Sequence, residues 1–170
     1  MPGLLSDVDP DGLLEYSVVF TDRSLNHMSK AFQGVMQDIS TTLKKVYNAA
    51  AVVLVPGGGT YGMEAVARQF ATGRRCLVVR NGWFSYRWSQ ILETGAITTD
   101  ITVMQARRAG EGPQAPFAPA PIGEVAARIA AEKPAMVFAP HGATTSTLLL
   151  PDASNRAVSD ATHPAGGLFV

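Results

Sequence analysis

The run 52–65, VVLVPGGGTYGMEA, constrains the fold more than any other stretch of the chain: an apolar strand pattern, three glycines and a threonine, then the opening turn of a helix. Where glycines carry a strand into a helix, the first backbone N–H groups lack partners and the positive end of the helix dipole faces outward. Such a turn is a seat for a phosphate group. Gly57, Gly58 and Gly59 bring no side chain to hold a ligand off the backbone, and Thr60 adds a hydroxyl donor. The implied cargo is a phosphorylated cofactor.

The loop alone leaves the cofactor open. No lysine follows the glycines in the GK[ST] arrangement, which argues against a nucleotide-hydrolysing loop. Gly57, Gly59 and Gly62 satisfy GxGxxG, so an NAD(P)-binding half-domain stays in view. In that reading the next strand should end in an acidic residue for the ribose hydroxyls, whereas it ends in Arg80 and Asn81; an NADP-type site could use the arginine.

The periodicity builds an α/β chain around this loop. Met28, Phe32, Val35, Met36, Ile39, Leu43 and Val46 recur at helical steps and predict an amphipathic helix after a capping region at 24–26. A strand is expected at 52–55, a helix after the glycines burying Met63, Val66, Ala67 and Phe70 and stopping at Gly73, and a strand at 76–79. A helix over 85–93, a strand over 97–104 and a proline- and glycine-rich loop over 107–121 follow. Helix 122–132, strand 135–139, polar loop 141–147, helix 152–162 and strand 167–170 complete the alternation, which predicts a mostly parallel sheet. There is no internal repeat.

Composition narrows the function classes. In 170 residues, 46% of them hydrophobic, there is room for one α/β domain with its own core. Charged residues make up only 16%, so part of the surface is expected to be covered by a partner or by further chain. The net charge is zero and no basic run stands out, which gives no reason to expect nucleic acid or an anionic membrane as partner. The single cysteine, Cys76, lies in an apolar strand and reads as a core residue. The N-terminus is short and acidic, without a basic apolar leader, and no apolar run reaches the roughly 18 residues of a membrane span, so a soluble cytoplasmic protein is expected. The chain stops at GGLFV inside a strand pattern, and the expectation is the front part of a longer protein.

Four ordered blocks, PGGGTYGMEAVARQFATG, VVRNGWFSYRW, AMVFAPHGATTSTLLLPD and ATHPAGGLFV, resemble the class V aminotransferases, the alanine–glyoxylate and serine–glyoxylate group of pyridoxal 5′-phosphate enzymes of fold type I. The resemblance runs from His27 to Val170. It implies a three-layer α/β/α fold, with 1–26 as an N-terminal arm and 27–170 as the N-terminal part of the cofactor-binding large domain. Gly58, Gly59 and Thr60 match the segment that grips the cofactor phosphate, in accord with the loop chemistry. Phe84 matches the aromatic that stacks on the pyridine ring, with Trp83 as the second candidate, while Trp88 is expected to pack in the core. Thr144 matches the hydroxyl residue bonded to the cofactor's ring oxygen. His141, just before it, reads equally as a site residue or a satisfied loop histidine. His27 is expected to be structural or at a dimer contact, and with His163 the three histidines show no metal-ligand spacing.

Two features depart from the family. Its loop reads HxETSSG or HxESSTG where this chain reads HGATTST, which removes a carboxylate at Ala143 and changes the backbone requirement at Thr147. The aspartate that pairs with the pyridine nitrogen and the Schiff-base lysine are expected beyond Val170, so no catalytic residue is assigned within the chain. Lys30, Lys44, Lys45 and Lys133 read as surface groups. The resemblance implies amino-acid and 2-oxo-acid substrates and a homodimer at full length, with the chain alone inactive. A non-catalytic remnant and the NAD(P)-binding half-domain stand as alternatives.

Overall fold

The computed structural model describes residues 27 and 29–170, so the 24–26 capping region and Met28 lie outside the described residues. The chain divides into two compact units between Val55 and Pro56. In the first, helix α1 (Lys30–Tyr47) starts at Ser29, whose Oγ accepts the backbone N–H of Phe32 at 3.1 Å, and ends on Asn48 in the left-handed conformation. Its apolar stripe is half-covered at Phe32, Met36 and Leu43, while Val35, Ile39 and Val46 stay exposed.

Residues 52–55 correct one expectation. They form no strand, and Val53 is 82% exposed. An extended segment becomes a strand only when a neighbour pairs its N–H and C=O groups, and none among the described residues does so. Apolar pattern supplies the tendency and pairing supplies the structure.

The second unit is an α/β/α layer structure. Its elements are α2 (Gly59–Phe70), β1 (Cys76–Arg80), α3 (Trp83–Thr94), β2 (Ile101–Gln105), β3 (Arg107–Arg108), β4 (Phe117–Ala118), α4 (Ile122–Glu132), β5 (Met136–Phe138), β6 (Gly142–Ala143), a 3₁₀ turn (Thr144–Ser146), β7 (Leu148–Leu149), α5 (Asp152–Thr162) and β8 (Leu168–Phe169). The main sheet runs β2-β1-β5-β8, and all its pairs are parallel. Strand alternation sorts the core into two layers. Cys76, Val78, Met136 and Phe138 face α2 and α3 through Ala67, Trp88 and Leu92. Leu77, Val79 and Val137 face α4 and α5 through Val125, Ile129 and Val158. Burying Leu77, Ile129 or Phe138 completely contributes about 1.5–3 kcal/mol each. Burial also pushes the Cys76 thiol up to about 11, with the Asp100 charge adding to the effect, and leaves it an inert core group.

Several boundaries differ from the sequence pattern for local reasons. Phe70 is exposed, because α2 rotates Ala67 and Ala71 into the core instead. Helix α3 begins at Trp83, two residues before the expected start, since Ser85 Oγ accepts the N–H groups of both Asn81 (2.8 Å) and Gly82 (2.9 Å). Ile97 and Thr98 precede the β2 ladder rather than joining it, and the 107–121 loop contains the short antiparallel pair β3–β4. The 141–147 loop is likewise structured: β6 and β7 pair around the 3₁₀ turn.

Strand order positions the site. The chain leaves β1 for α3 on one face of the sheet, whereas it leaves the adjacent β5 for α5 on the other. Between the carboxyl ends of β1 and β5 lies the crevice where open parallel sheets bind ligands.

Candidate functional site

Three segments meet around the start of α3. The first is the glycine loop. Gly57 takes φ +129°, and a Cβ there would run into the Tyr61 ring, so this position needs glycine. A Cβ on Gly58 or Gly59 would meet nothing within 4 Å, which leaves the loop open above both. Gly58 is the N-cap of α2 and offers no side chain to cap it, and the first turn contains no acidic residue. Tyr61 N–H is bonded to Gly58 C=O at 2.9 Å, and among the described residues the N–H groups of Gly59 and Thr60 have no partner, which leaves them as donors for a ligand.

The second segment is α3. Arg87 Nη1 donates to Thr60 Oγ1 at 2.7 Å, and the Arg87 guanidinium carbon stands 5.7 Å from the centre of the Phe84 ring. Phe84 and Arg87, three apart on the helix, thus share a side with the α2 loop. Phe84 is 42% exposed, leaving ring surface free for stacking. Trp83 turns elsewhere: it is tilted against Tyr86 at 5.6 Å and lines a cavity of about 290 Å³ with Arg80, Gln105 and Phe117. Trp88 is buried and stacks on Phe138 at 4.2 Å, in the core as its position suggests.

The third segment is the 3₁₀ turn. Ser146 Oγ donates to the carbonyl of Asn81 at 2.6 Å, and Thr145 Oγ1 accepts the N–H of Trp83 at 3.2 Å. The turn is therefore clamped to the entry of α3, inside the crevice. A Cβ on Gly82 would come within 2.6 Å of Ser146 Oγ and 2.9 Å of Ala143 Cβ, so this close approach depends on glycine. Thr144 is exposed at the start of the turn. His141 is turned to α5, where Asn155 Nδ2 and His141 Nδ1 are 3.0 Å apart, and its carbonyl accepts Leu150 N–H at 2.8 Å. His27 is exposed. Thr147 adopts φ +54°, the left-handed conformation that glycine takes at little cost.

The charges favour an anion. Glu64, one turn into α2, is paired with Arg68 at 2.7 Å, and among the described residues no carboxylate pairs with Arg87. Free N–H groups, a hydroxyl and an unneutralised guanidinium suit a phosphate monoester, with an exposed aromatic face beside them. No cluster of metal-ligating side chains occurs among the described residues. Arg87 and the Ser146 clamp are the site features that sequence patterns do not display. The three-residue step from Phe84 is the signal that could have found the arginine.

No family model matches the chain. An L-aspartate–glyoxylate aminotransferase of Paracoccus denitrificans is 29% identical over 146 residues, 84% of this chain and 35% of that protein. Among solved structures, the ureidoglycine–glyoxylate aminotransferase of Bacillus subtilis has a TM-score of 0.68 at 18% identity, over 85% of this chain and 35% of that one. An aspartate aminotransferase of Thermus thermophilus has a TM-score of 0.65 at 28% identity, over 86% and 38%. The chain shares their α/β fold and resembles the class V aminotransferases, spanning 35% of the curated relative's length.

Proposed function

We propose that residues 27–170 are the phosphate- and ring-holding part of the large domain of a pyridoxal 5′-phosphate-dependent aminotransferase, with 1–26 as its N-terminal arm. At full length it transfers an amino group from a small amino acid such as alanine or serine to a 2-oxo acid such as glyoxylate, as a cytoplasmic homodimer. The observation that carries this reading is the joining of Thr60, at the uncapped start of α2, to Arg87 and the Phe84 face on α3. Phosphate seat and aromatic platform stand side by side.

When bound, pyridoxal 5′-phosphate supplies an electron sink for negative charge at the substrate's α-carbon. The residues of this chain bind and orient. Gly58 and Gly59 allow backbone contact with the phosphate, and the N–H groups of Gly59 and Thr60 and the Thr60 hydroxyl donate to it. Phe84 fixes the ring plane, and Thr144 is the hydroxyl for the ring oxygen, with Trp83 and His141 as the secondary candidates. Proton movement is assigned to none of them. Lys133 takes the left-handed C-cap of α4, just before the amino end of β5 and so at the end of the strands opposite the crevice, and the other three lysines lie on α1.

Titration of the chain with pyridoxal 5′-phosphate, followed by the cofactor's absorbance, tests the reading: saturable one-to-one binding is expected, and its absence would overturn it. The chain alone should form no keto acid from alanine or serine with glyoxylate, and product at enzyme-like rates would refute that inactivity.

A further inference from the structure

Arg87 belongs to no part of the site that the sequence resemblance assigns, yet among the described residues it is the one cation bonded to the phosphate loop. From the geometry we infer that Arg87 is the positioning residue that makes Thr60 a phosphate donor; the inference rests on the cofactor reading above. A hydroxyl has one proton and two lone pairs, and its rotor follows its neighbours. Because Arg87 can only donate, the 2.7 Å bond uses a lone pair of Thr60 Oγ1 and leaves the hydroxyl proton for another acceptor. That proton is available to an anion at the start of α2, where among the described residues the N–H groups of Gly59 and Thr60 have no partner and no carboxylate competes in the first turn.

Two further observations fit a functional cation. Arg87 is half-buried on α3 and pairs with no carboxylate among the described residues, unlike Arg68, Arg75, Arg107 and Arg128. A half-buried guanidinium without a carboxylate partner keeps its charge available to an anion at the neighbouring loop. Its guanidinium carbon also stands 5.7 Å from the centre of the Phe84 ring, so the cation lies between the phosphate loop and the aromatic face. Lysine cannot copy this arrangement, because the planar fork is what reaches the hydroxyl and lies across the ring together.

The test compares 4-deoxypyridoxine 5′-phosphate with 4-deoxypyridoxine, probes without an aldehyde that surface lysines could trap, by isothermal titration calorimetry on the whole chain. The wild-type chain should prefer the phosphate ester, and Arg87→Gln should cut that preference by about tenfold while the unphosphorylated probe binds as before. Thr60→Val should lose a similar factor, and the double variant little more than either, because the two residues act as one unit. The preference should fall with added salt in the wild type and much less in Arg87→Gln. An undiminished preference in a folded Arg87→Gln overturns the inference, as does equal loss for both probes, which marks a structural role. If Arg87→Gln does not fold, Arg87→Lys decides: a preference reduced about threefold at unchanged ellipticity supports the role, and an unchanged one removes it. A wild-type chain that binds neither probe refutes the cofactor reading itself, and is distinguishable from every variant result.

Discussion

Gly58 and Thr147 show how single residues separate folding from binding. Gly58 is an N-cap with φ −79° and ψ 162°, an extended conformation open to any residue, and a Cβ there touches no protein atom. Gly58→Val is therefore expected to change stability by no more than about 0.5 kcal/mol in urea unfolding, while its methyl groups occupy the phosphate seat and weaken cofactor binding at least about tenfold. Loss of fold or retention of affinity would contradict the seat. Thr147 is the opposite case. It is β-branched and sits at φ +54°, so Thr147→Gly should raise stability by about 1 kcal/mol, read as a higher urea midpoint. The sequence pattern pointed to this position through the glycine common in the family, and the left-handed conformation gives the physical reason: the backbone requirement stayed although the side chain changed.

At the scale of elements, the helices and the four main strands were legible because their core faces repeat with the right period. Val125 and Ile129, or Cys76 and Val78, advertise their burial in sequence alone. Phe138 holds β5 to α3 through its stack on Trp88, so Phe138→Ala should cost about 3–5 kcal/mol by thermal unfolding, whereas Val46→Ala on the exposed face of α1 should stay within about 0.5 kcal/mol. What the pattern hid depends on distant partners. The strand pattern at 52–55 has no pairing neighbour among the described residues, and α3 starts early because Ser85 Oγ accepts from Asn81 and Gly82 N–H. The Thr60–Arg87 link spans 27 residues, and the Ser146–Asn81 clamp spans 65. No local window contains either pair.

For the whole molecule, the apolar surface is the feature with consequences in solution. Val53 at 82% and Val46 at 68% exposure belong to the first unit, and Leu149 at 62% to the second. Exposed apolar residues with little charge around them favour association, and only 16% of the chain is charged. Sedimentation of the 170-residue chain should show a mass that rises with concentration, and Val53→Lys should diminish the rise; identical profiles would remove that segment from the contact. The two tryptophans add a signature that any such sample carries. Trp83 is half in water at 50% exposure, whereas Trp88 is 5% exposed and lies on Phe138. Their emission is thus a sum of a red component open to acrylamide and a blue one shielded from it, so one spectrum with a quencher reports the rim of the crevice and the centre of the core as separate signals.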